Sequence, residues 1–281
     1  LMAQNSLIYK AQVKFDEGKM DEAWAAIEPA LTSGKTKNLA GAYNFAGVIQ
    51  GKILSAEITK AAQKQPLDTM KFINALDKSV EYFEKSYKLD NAPNEKGKIK
   101  PKYNNNAEAP FQSNTKMISQ MMNYYAYAGQ FLNANGNQKG AYDAFEKFIE
   151  MPKSSVFTKQ QADSIYKANA NEYYTVAFYA TLLGYQIKDY DRALKHIEFA
   201  LQDTAQKNQH DLYFIKAQSL LQKKDTAAWV KCATEAITAL PNNTQFVQNL
   251  LYYYNIKHLD NEAVATAKDL VAKAPNNKNA W

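Results

Sequence analysis

Apolar and small residues recur at three- and four-residue intervals along most of the chain and rarely alternate singly, the period of helices with one buried face. The helices this predicts come in two kinds. Some are rich in large apolar residues, such as YFIKAQSLL (213–221) and FVQNLLYYY (246–254). Others carry small residues at helical spacing, Ala233 with Ala236 and Ala263 with Ala267. Short polar breaks, Glu17-Gly18-Lys19 and Lys188-Asp189-Tyr190, fall between the two kinds and predict helical hairpins.

Near the C-terminus, ITALPNN (237–243) is echoed by VAKAPNN (271–277), with Pro241 and Pro275 separated by 34 residues. This period, with small residues where paired helices must approach and Pro where the second helix stops, resembles the tetratricopeptide repeat. On that template the units are 4–37, 38–93, 114–153, 171–206, 210–243 and 244–277. The first carries Leu7, Ala11, Ala23, Ile27 and Ala30 in the repeat's slots; the second carries Tyr43, Ala46, Gly47, Ser79, Phe83 and Ser86. The third has Tyr125, Ala128, Gly129, Leu132, Ala141, Phe145 and Pro152, and the fourth Ala177, Ala193, Ile197 and Ala200. In the fifth, Tyr213, Ala217, Leu220, Ala233, Ala236 and Pro241 fit, but Trp229 stands where Ala is usual. The sixth has Val247, Tyr254, Ala263, Ala267 and Pro275, and Trp281 counts as position 4 of a seventh.

The resemblance implies one all-α domain over 1–281: a right-handed α-solenoid of six hairpins, truncated at a seventh. Inserts at 57–71, 91–113 and 153–170 break the period, and the middle one, polar and asparagine-rich, reads as a long mobile loop.

Composition narrows the function classes. With 10 glycines and 8 prolines in 281 residues, few turns are marked, which suits long helices. The single Cys232 excludes a disulfide framework and a cysteine zinc site, and reads as a small apolar filler. Half of the net charge of +6 lies in NEKGKIKPKY (94–103), so no basic face for nucleic acid is expected. No segment is long and apolar enough to span a membrane.

Candidate chemistry is sparse. His196, His210 and His258 lie in three different units without metal-ligand spacing, and the pairs Asp16/Glu17 and Asp21/Glu22 adjoin polar turns. LTSGKTK (31–37) ends like a nucleotide-binding loop, yet Pro29 stands where that motif needs Gly and a helix precedes it instead of a strand. Nucleotide binding at Gly34-Lys35-Thr36 is therefore rejected, and Gly34 is expected as a left-handed helix cap. No cofactor, metal or catalytic residue is expected.

The resemblance implies instead a concave groove lined by the first helix of each hairpin. Its lining positions are Asn44, Asn123, Gln130, Asn133, Phe178, Tyr185, Phe214, Gln218, Gln222, Gln248, Tyr252 and Asn255. Amides can pair with a peptide backbone and aromatics supply anchor area, so the expected partner is a protein or extended peptide. The Lys, Asn and Arg clamp with which some family members grip C-terminal carboxylates is absent. The second reading is a glycan-binding component of an outer-membrane uptake system. Leu-Met-Ala before Gln4 resembles the end of a signal peptide. Asp68-Thr69-Met70, Asp163-Ser164-Ile165, Asp203-Thr204-Ala205 and Asp225-Thr226-Ala227 resemble a periplasmic O-glycosylation pattern. Both suggest a Gram-negative envelope, with the cytoplasm as the alternative.

Overall fold

The computed structural model describes residues 2–203, 206–273 and 275; Trp281, Thr204 and Ala205 lie outside the described residues. Every regular element among them is helical. In order they are α1 (Met2–Asp16), α2 (Met20–Thr32), α3 (Leu39–Ala62), α4 (Thr69–Asp90), α5 (Asn114–Met122), α6 (Tyr124–Ala134) and α7 (Gln138–Glu150). There follow α8 (Lys159–Ala168), α9 (Ala170–Gln186), α10 (Tyr190–Lys195), α11 (Ile197–Ala200), α12 (Gln206–Gln222), α13 (Thr226–Ala239), α14 (Thr244–Ile256) and α15 (Asp260–Lys273).

The hairpins share one turn. Gly18, Lys64, Gly136, Lys188, Lys224 and His258 all have φ between +56° and +79°. Each donates its N–H to the carbonyl three residues back, and the next residue donates to the carbonyl five back, at 2.8–3.1 Å. That paired closure is the Schellman motif, which satisfies carbonyls orphaned at the end of the first helix. In three hairpins an aspartate then caps the second helix: Asp68, Asp189 and Asp225 accept the N–H of Lys71, Arg192 and Ala228. Two of the Asp-Thr pairs that resemble a glycosylation pattern are thus helix starts.

Gly34 departs from its expected role. Its φ is not positive, and α2 stops at an extended Ser33, φ −75° and ψ 119°. The Thr36 hydroxyl donates to the Ala30 carbonyl at 2.7 Å, so a side chain does the work expected of a left-handed glycine. The stretch is a turn between two helices.

Contacts group the chain into two compact units: Leu1–Asn137 with Glu150–Tyr166, and Gln138–Ile149 with Lys167–Trp281. In the first, Ala11, Ala23, Ile27 and Ala30 are fully buried between α1 and α2. Between α3 and α4 the Ser79 hydroxyl donates to the Gly47 carbonyl at 2.8 Å, and a Cβ on Gly47 would stand 3.0 Å from the Phe83 ring. The insert 57–71 is not a separate excursion. It becomes the last turns of α3 and the start of α4, held by Glu57, which accepts from Lys60 Nζ at 2.7 Å and from the Asp68 N–H at 3.1 Å. The insert 153–170 contains α8.

The insert 91–113, read from sequence as a mobile loop, is pinned. The buried Asp90 carboxylate accepts the N–H groups of Lys102, Tyr103 and Asn104 at 2.7–3.0 Å. Asn114 binds Asn44, Asn104 and Ser86 through its side chain at 2.8–3.0 Å. These buried polar groups satisfy one another, which converts a hydrophilic segment into an ordered one.

In the second unit, Arg192 ties α10 to α7, 2.9 Å from Asp143 Oδ1 and 4.7 Å over the Tyr142 ring. α9 meets α10 so closely that a Cβ on Gly184 would lie 2.5 Å from the Ala193 nitrogen. A cluster from α12 to α15, including Leu220, Cys232, Ile237, Leu250, Tyr254 and Leu270, forms the core at the C-terminal end. Trp229 occupies its small-residue slot by turning edge-on to Tyr253 in the next hairpin, at 5.5 Å. Burial pushes the Cys232 thiol up to about 12, in keeping with a packing role.

Candidate binding face

The expected groove residues of the second unit fall on single stripes of three helices. Positions 178 and 185 of α9, 214, 218 and 222 of α12, and 248, 252 and 255 of α14 recur at helical spacing. Tyr185 meets Phe214 edge-on at 6.4 Å, which links the stripes of α9 and α12. Phe178 and Tyr185 are half-buried, while Gln222, Gln248 and Asn255 are exposed and Gln218 partly so.

Two residues belong to this face that the sequence reading passed over. Leu221 and Ile256 are 45% and 52% exposed, beside Phe214 at 44% and Tyr252 at 67%. The signal was available in the same register, since Leu221 adjoins Gln222 and Ile256 adjoins Asn255. Counting apolar exposure, the face is more hydrophobic than its amides suggest.

The lone charged side chain facing inward on the middle of α12, Lys216, is turned away from this stripe. Its Nζ lies 2.6 Å from Glu198 and 2.9 Å from Glu235. Burial opposes its charge, but the two carboxylates outweigh that and hold its pKa above the ordinary lysine value. α14 contains no charged residue. The stripe is therefore apolar and amide in character along the length of that helix.

In the first unit Asn123, Gln130 and Asn133 are exposed on and just before α6. Asn44 is a correction. It is fully buried, with Nδ2 donating to the Gln112 carbonyl at 2.6 Å and to Asn114 Oδ1 at 2.8 Å. Gln112 of the insert and Asn114 of α5 pack over this position. Two clefts flank that insert, about 520 Å³ beside Tyr103, Glu108 and Phe111 and about 390 Å³ beside Asn105, Gln112 and Gln120.

The histidines stay apart. His196 is buried with Nε2 3.4 Å from Glu146, His210 is exposed beside Asp211, and His258 forms a turn. No group of three metal-ligating side chains occurs among the described residues.

No protein-family model and no curated protein matches the chain. Among solved structures it is similar to a tetratricopeptide repeat protein from Parabacteroides merdae ATCC 43184, at 10% identity over 96% of this chain and 79% of that one, with a TM-score of 0.28. It is also similar to the TPR2AB domain of yeast Sti1, solved as a complex with pHSP90, at 14% identity over 99% and 93% of the two chains, with a TM-score of 0.29. At such scores the likeness adds no argument of its own. By its own geometry the chain is all-α, built of helical hairpins closed by Schellman turns with small residues recurring in fixed slots, an arrangement similar to that of tetratricopeptide repeats.

Proposed function

We propose that the chain is a non-catalytic scaffold that holds a protein segment or extended peptide along the α9, α12 and α14 face of the second unit. One observation carries this: Phe214, Leu221, Tyr252 and Ile256 are exposed at groove positions, interleaved with uncharged amides. Apolar side chains clustered on a surface are the usual mark of an interface, and aromatic ones anchor most strongly. The amides Gln218, Gln222, Gln248 and Asn255 offer a donor and an acceptor each, the complement of a peptide backbone. An uncharged, partly apolar segment suits this face better than an acidic one.

The test is selection of peptides that bind the wild type from a displayed library, followed by titration of F214A/L221A/Y252A. These side chains are exposed, so the variant keeps its helical circular dichroism. Affinity falls at least tenfold; equal affinity overturns the groove.

Carbohydrate is the second reading, favoured by the carboxamides lining the clefts of the first unit; an array of glycans without a hit removes it. The setting we propose is a bacterial envelope, supported by the Asp-Ser/Thr pattern at the exposed Ser164. Fractionation that leaves the protein wholly in the cytosol overturns it.

A further inference from the structure

The face of α3 that carries Asn44 is occupied by the chain itself, and the manner of its occupation is informative. Asn44 Nδ2 donates to the Gln112 carbonyl at 2.6 Å, and the Gln112 N–H donates back to Asn44 Oδ1 at 3.0 Å. One carboxamide thus satisfies both backbone groups of one residue, as a neighbouring strand would, without reference to its side chain. Beside it the Phe111 ring sits 6.3 Å from Phe45 on α3 and 4.9 Å from Tyr103. A backbone-reading amide next to an aromatic seat is the minimum equipment of a peptide site.

The insert reaches this seat from a separate anchor. Its base is fixed by Asp90 to the N–H groups of Lys102, Tyr103 and Asn104. The tip between base and seat is exposed at Asn105, Asn106, Glu108 and Ala109, and the two clefts open on its flanks. Along 105–110 the hydrogen bond present is internal to the tip, Phe111 N–H to the Glu108 carbonyl. The tip can therefore leave its seat while the base stays closed.

We propose that Phe111-Gln112 is a ligand held in cis, and that the α3 face beneath it accepts in trans an extended peptide. That peptide carries an aromatic residue immediately before the residue whose backbone Asn44 reads. The site is independent of the face on α9, α12 and α14. A short tether presents the tip at an effective concentration of about millimolar, so a free peptide of the same sequence is largely excluded from the wild type.

The probe is a fluorescein-labelled synthetic peptide copying residues 106–113. F111A/Q112P removes the ring and the donating N–H from the tethered copy while leaving the Asp90 anchor in place. By fluorescence anisotropy this variant binds the peptide at least tenfold more tightly than the wild type, and a peptide with Ala for its Phe binds at least tenfold more weakly. A helical F111A/Q112P protein that binds no better than the wild type overturns the proposal. Should that variant lose its helical signal, hydrogen exchange of the wild type decides: millimolar peptide accelerates exchange of the Gln112 N–H, and an unchanged rate overturns the proposal.

Discussion

Glu57 shows how one side chain can convert an irregular insert into helix. It is buried at 1% exposure beneath the turn between α3 and α4, with its oxygens on Lys60 Nζ and the Asp68 N–H. Burial alone would push this carboxyl up; the Lys60 ammonium and the Asp68 N–H outweigh it and hold the pKa below the ordinary carboxylate value. A folded pKa below the unfolded one means the contribution is present above the unfolded value of about 4.5 and is lost as pH falls through the folded value. Glu57→Gln is expected to cost about 1–2 kcal/mol at pH 7, the scale of a hydrogen bond to a charged group. Urea titrations at pH 7 and pH 3 check it: the gap between variant and wild type narrows at pH 3, and a gap unchanged with pH overturns the assignment. Glu57 itself carries no sequence signal of this role, because Lys60 is a common helical neighbour and Asp68 lies eleven residues on. Asn44 is covered through an even more distant partner. Its register position marks it for a groove, and only the return of Gln112 from 68 residues away makes it interior.

At the scale of elements the hairpins were legible and the inserts were not. Small residues in fixed slots report local helix contact, and Ala11, Ala23, Ala141 and Ala233 are all fully buried where the repeat demands it. Gly184 carries no sequence signal of its close contact with Ala193 on α10, because it stands at a slot where the repeat usually has a bulky residue. The inserts are held by Asp90, Asn44 and Asn114, polar residues whose partners no periodicity reveals. The turns carry a further consequence. Lys64, Lys188, Lys224 and His258 adopt φ of 56° to 59°, a region that strains any residue with a Cβ. A basic side chain there gains a little from the negative end of the preceding helix, which offsets part of the strain. Replacing Lys188 and Lys224 by Gly removes the steric penalty and is expected to stabilise by about 0.5–1 kcal/mol each. Lys224 is the cleaner case, since its neighbour Lys223 makes the ion pair with Asp191. Thermal unfolding of K188G, K224G and the double variant tests this. A lowered melting temperature in the single variants would show that the lysine charges, and not the backbone, govern these turns.

At the C-terminal end of the second unit, burial is shared between successive helices. α12 packs on α13, α13 on α14 and α14 on α15, and the side chains of that series close a core of their own. Stability in such an array is a sum of hairpin terms and nearest-neighbour interfaces, so damage to one interface spreads to its neighbours and fades beyond them. Leu250 is the sharpest probe, being fully buried on α14 in the middle of this cluster. Leu250→Ala leaves a cavity and is expected to cost about 2–5 kcal/mol. The loss is regional: amide exchange accelerates throughout α12 to α15, while α3 and α4, which pack on each other in the first unit, keep their protection. Loss of protection in α3 and α4 to the same extent would mean that the chain unfolds as one cooperative body. The same experiment bears on the proposed face, because Phe214, Tyr252 and Ile256 project from the helices whose inner sides this cluster holds. A peptide bound to the wild type along that face is therefore expected to slow exchange in α12 and α14, and the slowing should be weaker in Leu250→Ala, where part of the binding free energy must first reorder the hairpins.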